Sequence, residues 1–152
     1  MVSRLVLGCG TIGHALVEAL VGRRGELFVF DVDESRVESL RNEKVAAEAR
    51  DVTDPAAIER PDADVDVVIV ADDVASQNRR AAEAAREAYP DAELLVYFGF
   101  DATADDRAVV ADLADRVVDP GAALLDHVEE VTASGASERL QALRATLNGI
   151  DG

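Results

Sequence analysis

Two hydrophobic rhythms take turns along this chain. "RLVLG" (from Arg4) is a continuous apolar run of the kind that forms a buried strand, and "TIGHALVEALVG" then places Ile12, Leu16 and Leu20 four residues apart, as on one helix face. "ELFVFD" reads as a second strand. "DESRVESLRNE" reads as a helix with acids in its first turn, where the helix dipole favours them. "KVAAEARD" carries a weak third-strand signal, and "DPAAIER" a brief helix with Pro55 at its start. "VDVVIVAD" is the clearest strand, an apolar run bounded by acids. An Ala-rich helix, "SQNRRAAEAAREAY", follows and stops before Pro90. "AELLVYFGF" (strand), "ADDRAVVADLA" (helix), "DRVVDP" (short strand) and "GAALLDHVEEV" (helix) complete the alternation.

Strand–helix alternation repeated about six times predicts an α/β fold. The expected form is a Rossmann-like, doubly wound, parallel six-stranded sheet with helices on both faces. The domain is expected over residues 1–131. Residues 132–152 then supply a linker, "TASGAS", and a C-terminal connector helix with Leu140, Leu143 and Leu147 on one side.

The chain has 152 residues, enough for one sizeable core, and 49% of them are apolar, which excludes a disordered chain. The apolar runs are too short and interrupted to span a membrane, and no signal peptide is visible, so a cytoplasmic protein is expected. A single cysteine, Cys9, excludes an internal disulfide and a Cys-based zinc site. Fifteen Lys and Arg stand against 31 Asp and Glu, a formal net charge of -16, and Lys44 is the only lysine. Such a surface suits molar salt, where screening falls to about 3 Å, so a salt-loving source is expected. It lacks the basic footprint that direct contact with nucleic acid requires.

Gly8, Gly10 and Gly13 form G-x-G-x-x-G between a predicted strand and a predicted helix, the context the motif needs. Gly8 permits a tight turn, Gly10 lets the backbone approach a pyrophosphate, and Gly13 lets the helix pack close. Phosphates would then sit at the helix N-terminus, where free N–H groups favour anions. Asp31 closes the second strand, where a carboxylate accepts hydrogen bonds from the adenosine ribose and repels a 2′-phosphate. No arginine follows directly, so NAD(H) or an unmodified adenine nucleotide is expected over NADP. Asp33 and Glu34 read as helix caps.

Other residues leave two readings open. Asp51, or the Val52 backbone, with Thr53 would face the adenine, or else form a turn before Asp54-Pro55. Ala71, Asp72 and Asp73 end the fourth strand at the crevice, where the two acids bind a ligand or cap the next helix. Cys9 would be a redox sensor if its pKa were lowered at the helix N-terminus, but a small filler is the simpler expectation. His14 and His127 show no partner in the sequence. Asp62, Asp64 and Asp66 read as a solvated loop, and Arg79 and Arg80 as solvated helix residues. Hydride transfer needs a substrate pocket and an acid–base group beside the nicotinamide. There is no Tyr-x-x-x-Lys pair, no G-x-S-x-G and no His-based metal cluster, so the sequence offers a cradle without catalytic chemistry.

"VLGCGTIGHALVEAL", "FVFDVDESRVESLRNEKV", "ARDVTDPAAIE", "DVVIVADDVASQN" and "ADRVVDP" together resemble the TrkA-N domain, the N-terminal half of the RCK (regulator of K+ conductance) module, over about Arg4 to Pro120. The resemblance implies binding of NAD(H), or of ATP, ADP or AMP. The implied pocket comprises Gly8, Cys9, Gly10, Thr11, Ile12, Gly13, Asp31, Val32, Asp33, Arg36, Asp51, Val52, Thr53, Ala71, Asp72 and Asn78. It also implies a homodimer or higher homo-oligomer, and a regulatory role over an attached or partner domain such as a potassium channel or transporter. Three positions depart from the pattern. Arg50 replaces a glycine, Asp72 stands where a small or hydroxyl residue is common, and Gly99-Phe100 replaces a basic residue. A carboxylate near bound phosphates is unfavourable. "SERLQALRATLNGIDG" resembles the connector of archaeal fusions that carry a DHH-family phosphoesterase domain, which makes such a hydrolase a second candidate partner. Two further functional classes remain as alternatives: a small NAD-dependent oxidoreductase completed by oligomerisation, and an interaction scaffold with a degenerate pocket.

Overall fold

Along β1 (Ser3–Leu7), Leu5 and Leu7 enter one core and Val6 enters another. A strand points successive side chains to opposite faces, so an apolar run with no polar alternation needs cover on both sides. The computed structural model describes residues 1–133 and Ala145. Its sheet has six strands in the order β3-β2-β1-β4-β5-β6. The others are β2 (Glu26–Asp31), β3 (Ala47–Ala49), β4 (Val67–Val70), β5 (Glu93–Tyr97) and β6 (Arg116–Val118). Every pairing is parallel, and Leu7 at the end of β1 lies level with Phe30 of β2 and Val70 of β4.

The helices divide between the two faces. α1 (Thr11–Leu20) and α2 (Glu34–Asn42) bury Val17, Val37 and Leu40 against Val6, Val29 and Ile69. α3 (Pro55–Ile58), α4 (Ala75–Ala88) and α5 (Ala104–Leu113) cover Leu5, Leu7, Phe30, Val68, Val70 and Leu94. In α4, Ala81, Ala82, Ala84 and Ala85 are buried, so a wide face of small side chains rests on the sheet. The doubly wound α/β fold expected from the alternation is therefore present, including the weakly signalled third strand.

Side chains place the helix starts. Asp33 caps α2 by accepting from Ser35 and Arg36 amides, and Asp54 caps α3 through the Ala56 amide. Thr103 and Asp106 form a reciprocal capping box on α5. α4 has no cap of its own; the Ala75 amide donates to Asp101 from the β5–α5 loop at 2.9 Å.

The chain divides into two compact units, Met1–Asp119 and Pro120–Gly152. Residues 120–133 of the second are helical, so Thr132 and Ala133, read as the start of a linker, continue that helix. The rest of the expected linker and the connector helix lie outside the described residues. Among the described residues no helix is long and apolar enough to cross a membrane.

Candidate functional site

The chain leaves β1 toward one face of the sheet and β4 toward the other. Between these neighbours the connections part, which places the ligand crevice of such sheets here, above the carboxyl ends of the strands. Its walls are the loop from Gly8 to Gly10 and the loop from Ala71 to Val74. The two are tied together: the Ala71 amide donates to the Leu7 carbonyl at 3.1 Å and the Gly10 amide to the Ala71 carbonyl at 3.3 Å.

Gly8, at φ 79°, makes the turn, and Gly10 and Gly13 each meet close neighbours. A Cβ on Gly13 would lie 2.6 Å from the Ala71 carbonyl oxygen, so only glycine lets α1 approach the end of β4 this closely. A Cβ on Gly10 would lie 2.5 Å from Asp73 Oδ1 and 2.6 Å from the Asp73 amide nitrogen. The space that glycine leaves at Gly10 is taken here by the chain's own Asp73.

Asp31 is fully buried, and both of its oxygens serve the backbone. Oδ2 accepts from the Cys9 amide at 2.7 Å and Oδ1 from the Asp33 amide at 2.8 Å. The carboxylate thus holds the glycine loop to the start of α2. Arg36, on the first turns of α2, extends its guanidinium between Asp31 (3.6 Å) and Asp72 (3.8 Å). Burial works against its charge, but the carboxylates of Asp31, Asp72 and Asp33 together outweigh it and raise its pKa above the usual value. No arginine follows Asp31 directly in sequence, yet the helix brings one back to it. Val32, just beyond, is exposed.

Cys9 is buried in the core under α1 and α2, and burial first, then the nearby Asp31 charge, pushes its thiol up to about 11. It fills space. The lowered pKa that a redox sensor needs is reversed, because the thiol faces apolar side chains and a carboxylate rather than the helix N-terminus.

The Asp72 carboxylate accepts the Asp73 amide at 2.6 Å, and Asn78 fixes the Asp72 backbone. Asn78 accepts from the Asp72 amide at 2.9 Å and donates to the Asp72 and Tyr97 carbonyls, each at 2.8 Å. With 1% exposure, Asn78 holds the ends of β4 and β5 in register rather than facing the crevice. Asp73 caps a helix, but not the one that follows it. Its Oδ1 accepts the Thr11 amide of α1 at 2.8 Å, and its Oδ2 lies 3.2 Å from the Thr11 hydroxyl. The sequence reads Asp73 as a ligand contact or a cap for the next helix; a second acid at a strand end gives no sign of which helix it will reach. Ile12, next on α1, is exposed.

Asp51 accepts from both the hydroxyl (2.6 Å) and the amide (2.9 Å) of Thr53, bonds that hold its pKa below the ordinary carboxylate value. The Val52 side chain is buried in the α3–α4 core, so only its backbone is free for recognition. Arg50 pairs with Glu48 at 2.7 Å and stacks on Phe30. Two residues without a visible partner or role in sequence gain partners. His14 Nε2 lies 3.1 Å from Glu18 and 3.6 Å from Glu43, and Asp66 accepts the Ser3 amide at 2.8 Å. Arg79 lies 3.5 Å from both Glu83 and Asp106.

The glycine loop stands at the switch point where such sheets bind a dinucleotide's diphosphate. Asp31, expected to accept from the ribose, is instead closed to solvent with both oxygens on backbone amides, and the first amide of α1 is already taken by Asp73. A family profile for the TrkA-N domain matches residues 4–120. Among solved structures, the chain resembles the TrkA-N domain of the inner membrane protein ybaL from Escherichia coli, at 21% identity and a TM-score of 0.73, over 85% of this chain and 95% of that one. It also resembles the NAD(P)-binding domain of an exopolyphosphatase-related protein from Archaeoglobus fulgidus, at 19% identity and a TM-score of 0.72, over 88% and 99%. A complex of D-mandelate dehydrogenase with NADH aligns more loosely, at 14% identity and a TM-score of 0.51, over 74% of this chain and 35% of that one. No curated protein matches the chain.

Proposed function

This chain belongs to the TrkA-N domain family, and we propose that it is a regulatory nucleotide sensor that takes an adenine nucleotide at the β1–β4 crevice. The observation that carries the reading is the packing of Gly13 against the Ala71 carbonyl at the point where the sheet's connections part, with Asp31 at the end of the adjoining strand. NAD(H) is the first ligand in this reading; ATP, ADP and AMP are the others. The residues that would hold it are the Gly8–Gly13 loop, Asp31 to Asp33 with Arg36, the backbone at Asp51 to Thr53, and the Ala71–Asp72 strand end.

Occupancy would bias the conformation of the 71–74 loop, and through it an attached or partner domain. A potassium channel or transporter, or a DHH-type phosphoesterase, is the class of unit such a sensor would control. A homodimer or higher homo-oligomer would carry the signal, in the cytoplasm of a salt-loving cell. Around the crevice the charged groups are spent on structure: Asp31 on two amides, Arg36 on two carboxylates, Asp73 on Thr11. That supports a sensor over an oxidoreductase, which needs an acid–base group free to exchange a proton.

The test is calorimetric titration of NAD+, NADH, NADP+, ATP, ADP and AMP in molar KCl. Saturable binding at micromolar affinity identifies the signal. NADP+ belongs in the series because Arg36 stands beside Asp31. Absence of binding by every ligand, with the protein shown folded by circular dichroism, overturns the sensor reading. It would leave the second one, an interaction scaffold, which the Asp73–Thr11 contact favours.

A further inference from the structure

An α-helix begins with amides that have no partner within the helix, and in glycine-loop folds the ligand phosphates meet them. In α1 the N-cap is Gly10, which has no side chain to satisfy these groups. The partner comes from far along the chain. Asp73 reaches across the crevice and accepts the Thr11 amide at 2.8 Å, with its second oxygen 3.2 Å from the Thr11 hydroxyl. A carboxylate and a phosphate compete for such a position with the same chemistry, an anionic oxygen facing N–H and O–H donors.

The neighbours of Asp73 fix its backbone but not its side chain. Its amide donates to Asp72, whose own amide and carbonyl are held by Asn78. On its other side it backs onto Gly99, where a Cβ would lie 3.1 Å from the Asp73 carbonyl oxygen. Asp73 itself is exposed. The carboxylate can therefore swing into water while the loop that delivers it stays in place. Nearby, Arg36 already serves both Asp31 and Asp72. Among the described residues, no salt bridge reaches Asp73.

We propose that Asp73 is the residue that sets this domain's affinity for phosphate-bearing ligands: its carboxylate holds the phosphate position at the start of α1, and a nucleotide binds only by displacing it. This rests on the nucleotide-binding reading above and adds its cost and its consequence. Binding must break the Asp73–Thr11 contact, so occupancy is read out as displacement of the Asp73 side chain from α1, with the backbone ties at Ala71 left in place.

The test uses the full chain and its Asp73→Asn and Asp73→Ala variants, titrated in molar KCl with NAD+, with inorganic diphosphate and with adenosine. Asp73→Asn keeps a neutral acceptor for Thr11 and so preserves the cap if Asp73→Ala does not fold. Losing a charge-assisted contact from the unbound state predicts NAD+ and diphosphate binding at least about tenfold tighter in the variants, with adenosine unchanged. Unchanged or weaker NAD+ and diphosphate binding in folded Asp73→Asn overturns the proposal. So does an equal gain for adenosine, which would mean general loosening of the crevice. If no form of the protein binds NAD+ or adenosine, the nucleotide reading itself has failed. Diphosphate then decides the role of Asp73 alone: a gain in Asp73→Asn supports it and no gain overturns it.

Discussion

Asp31 and Cys9 are joined by a 2.7 Å hydrogen bond from the Cys9 amide to the Asp31 carboxylate, at a position wholly closed to solvent. The strand-end acid therefore shapes the glycine loop. Replacing Asp31 by Ala leaves the buried Cys9 amide without its acceptor and Arg36 without one of its two partners. The expected loss is about 2–3 kcal/mol, measured by chemical denaturation in high salt. A loss under about 0.5 kcal/mol would mean that the loop holds its shape without the carboxylate.

Cys9 makes stability fall on the alkaline side. Its folded pKa of about 11 lies above the ordinary 9.0, so the folded state keeps its proton where the unfolded chain gives it up. The contribution is whole below pH 9 and is lost as pH rises toward 11. Native protein should react with a thiol reagent at pH 8 far more slowly than denatured protein does. Cys9→Ala should flatten the decline between pH 9 and 11. Equal reaction rates in the two states would show an accessible thiolate.

Gly13→Ala tests the close approach of α1 to β4. Its methyl would sit 2.6 Å from the Ala71 carbonyl oxygen, a backbone atom that cannot rotate away. We expect a loss of about 1–3 kcal/mol and a lower thermal midpoint. Wild-type stability in this variant would mean that the helix can shift freely.

Arg86 joins the end of α4 to α5 and to the start of β6. It donates to the Leu113 carbonyl at 2.8 and 3.0 Å and to the Ala92 carbonyl at 3.1 Å, and it pairs with Asp115 at 3.0 Å. Asp115 also accepts the Leu94 amide, and that bond first, then Arg86, lowers its pKa. A lowered carboxylate stabilises the fold above its unfolded pKa and loses that effect as pH falls through the folded value. Arg86→Ala should cost about 2–3 kcal/mol at neutral pH. Asp115→Asn should reduce the steepness of acid unfolding. An acid limb identical to wild type would remove Asp115 from that transition.

A net charge of -16 predicts that stability rises with salt. Thermal midpoints should climb between dilute buffer and molar KCl as screening shortens. A midpoint independent of KCl would remove self-repulsion as a reason for the composition.

Much of this was legible in one dimension, because it depends on local rules. The strand–helix rhythm, Pro55 and Asp54 at the start of α3, and Asp33 at the start of α2 are set by neighbours a few residues apart. The glycine spacing was legible too, since the steric need at Gly13 recurs wherever a helix must close on a strand. The reading of Cys9 as filler and the six-strand parallel sheet follow from the same logic.

The destinations of charged side chains were settled only in three dimensions. Asp73 is the second of two acids at the end of β4 and reads equally well as a cap for α4, and it instead caps α1, whose sequence position gives no hint of the meeting. Arg36 enters the implied pocket through the family resemblance alone, and only the turn of α2 gives it its partners, Asp31 and Asp72. Asn78 carries a family motif, but burial decides that its amide holds β4 to β5. Periodicity and turn chemistry are short-range and can be read along the chain. Which ion or hydrogen bond each polar group makes depends on which strands become neighbours, and here the pairing of β1 with β4 brought the glycine loop against two aspartates.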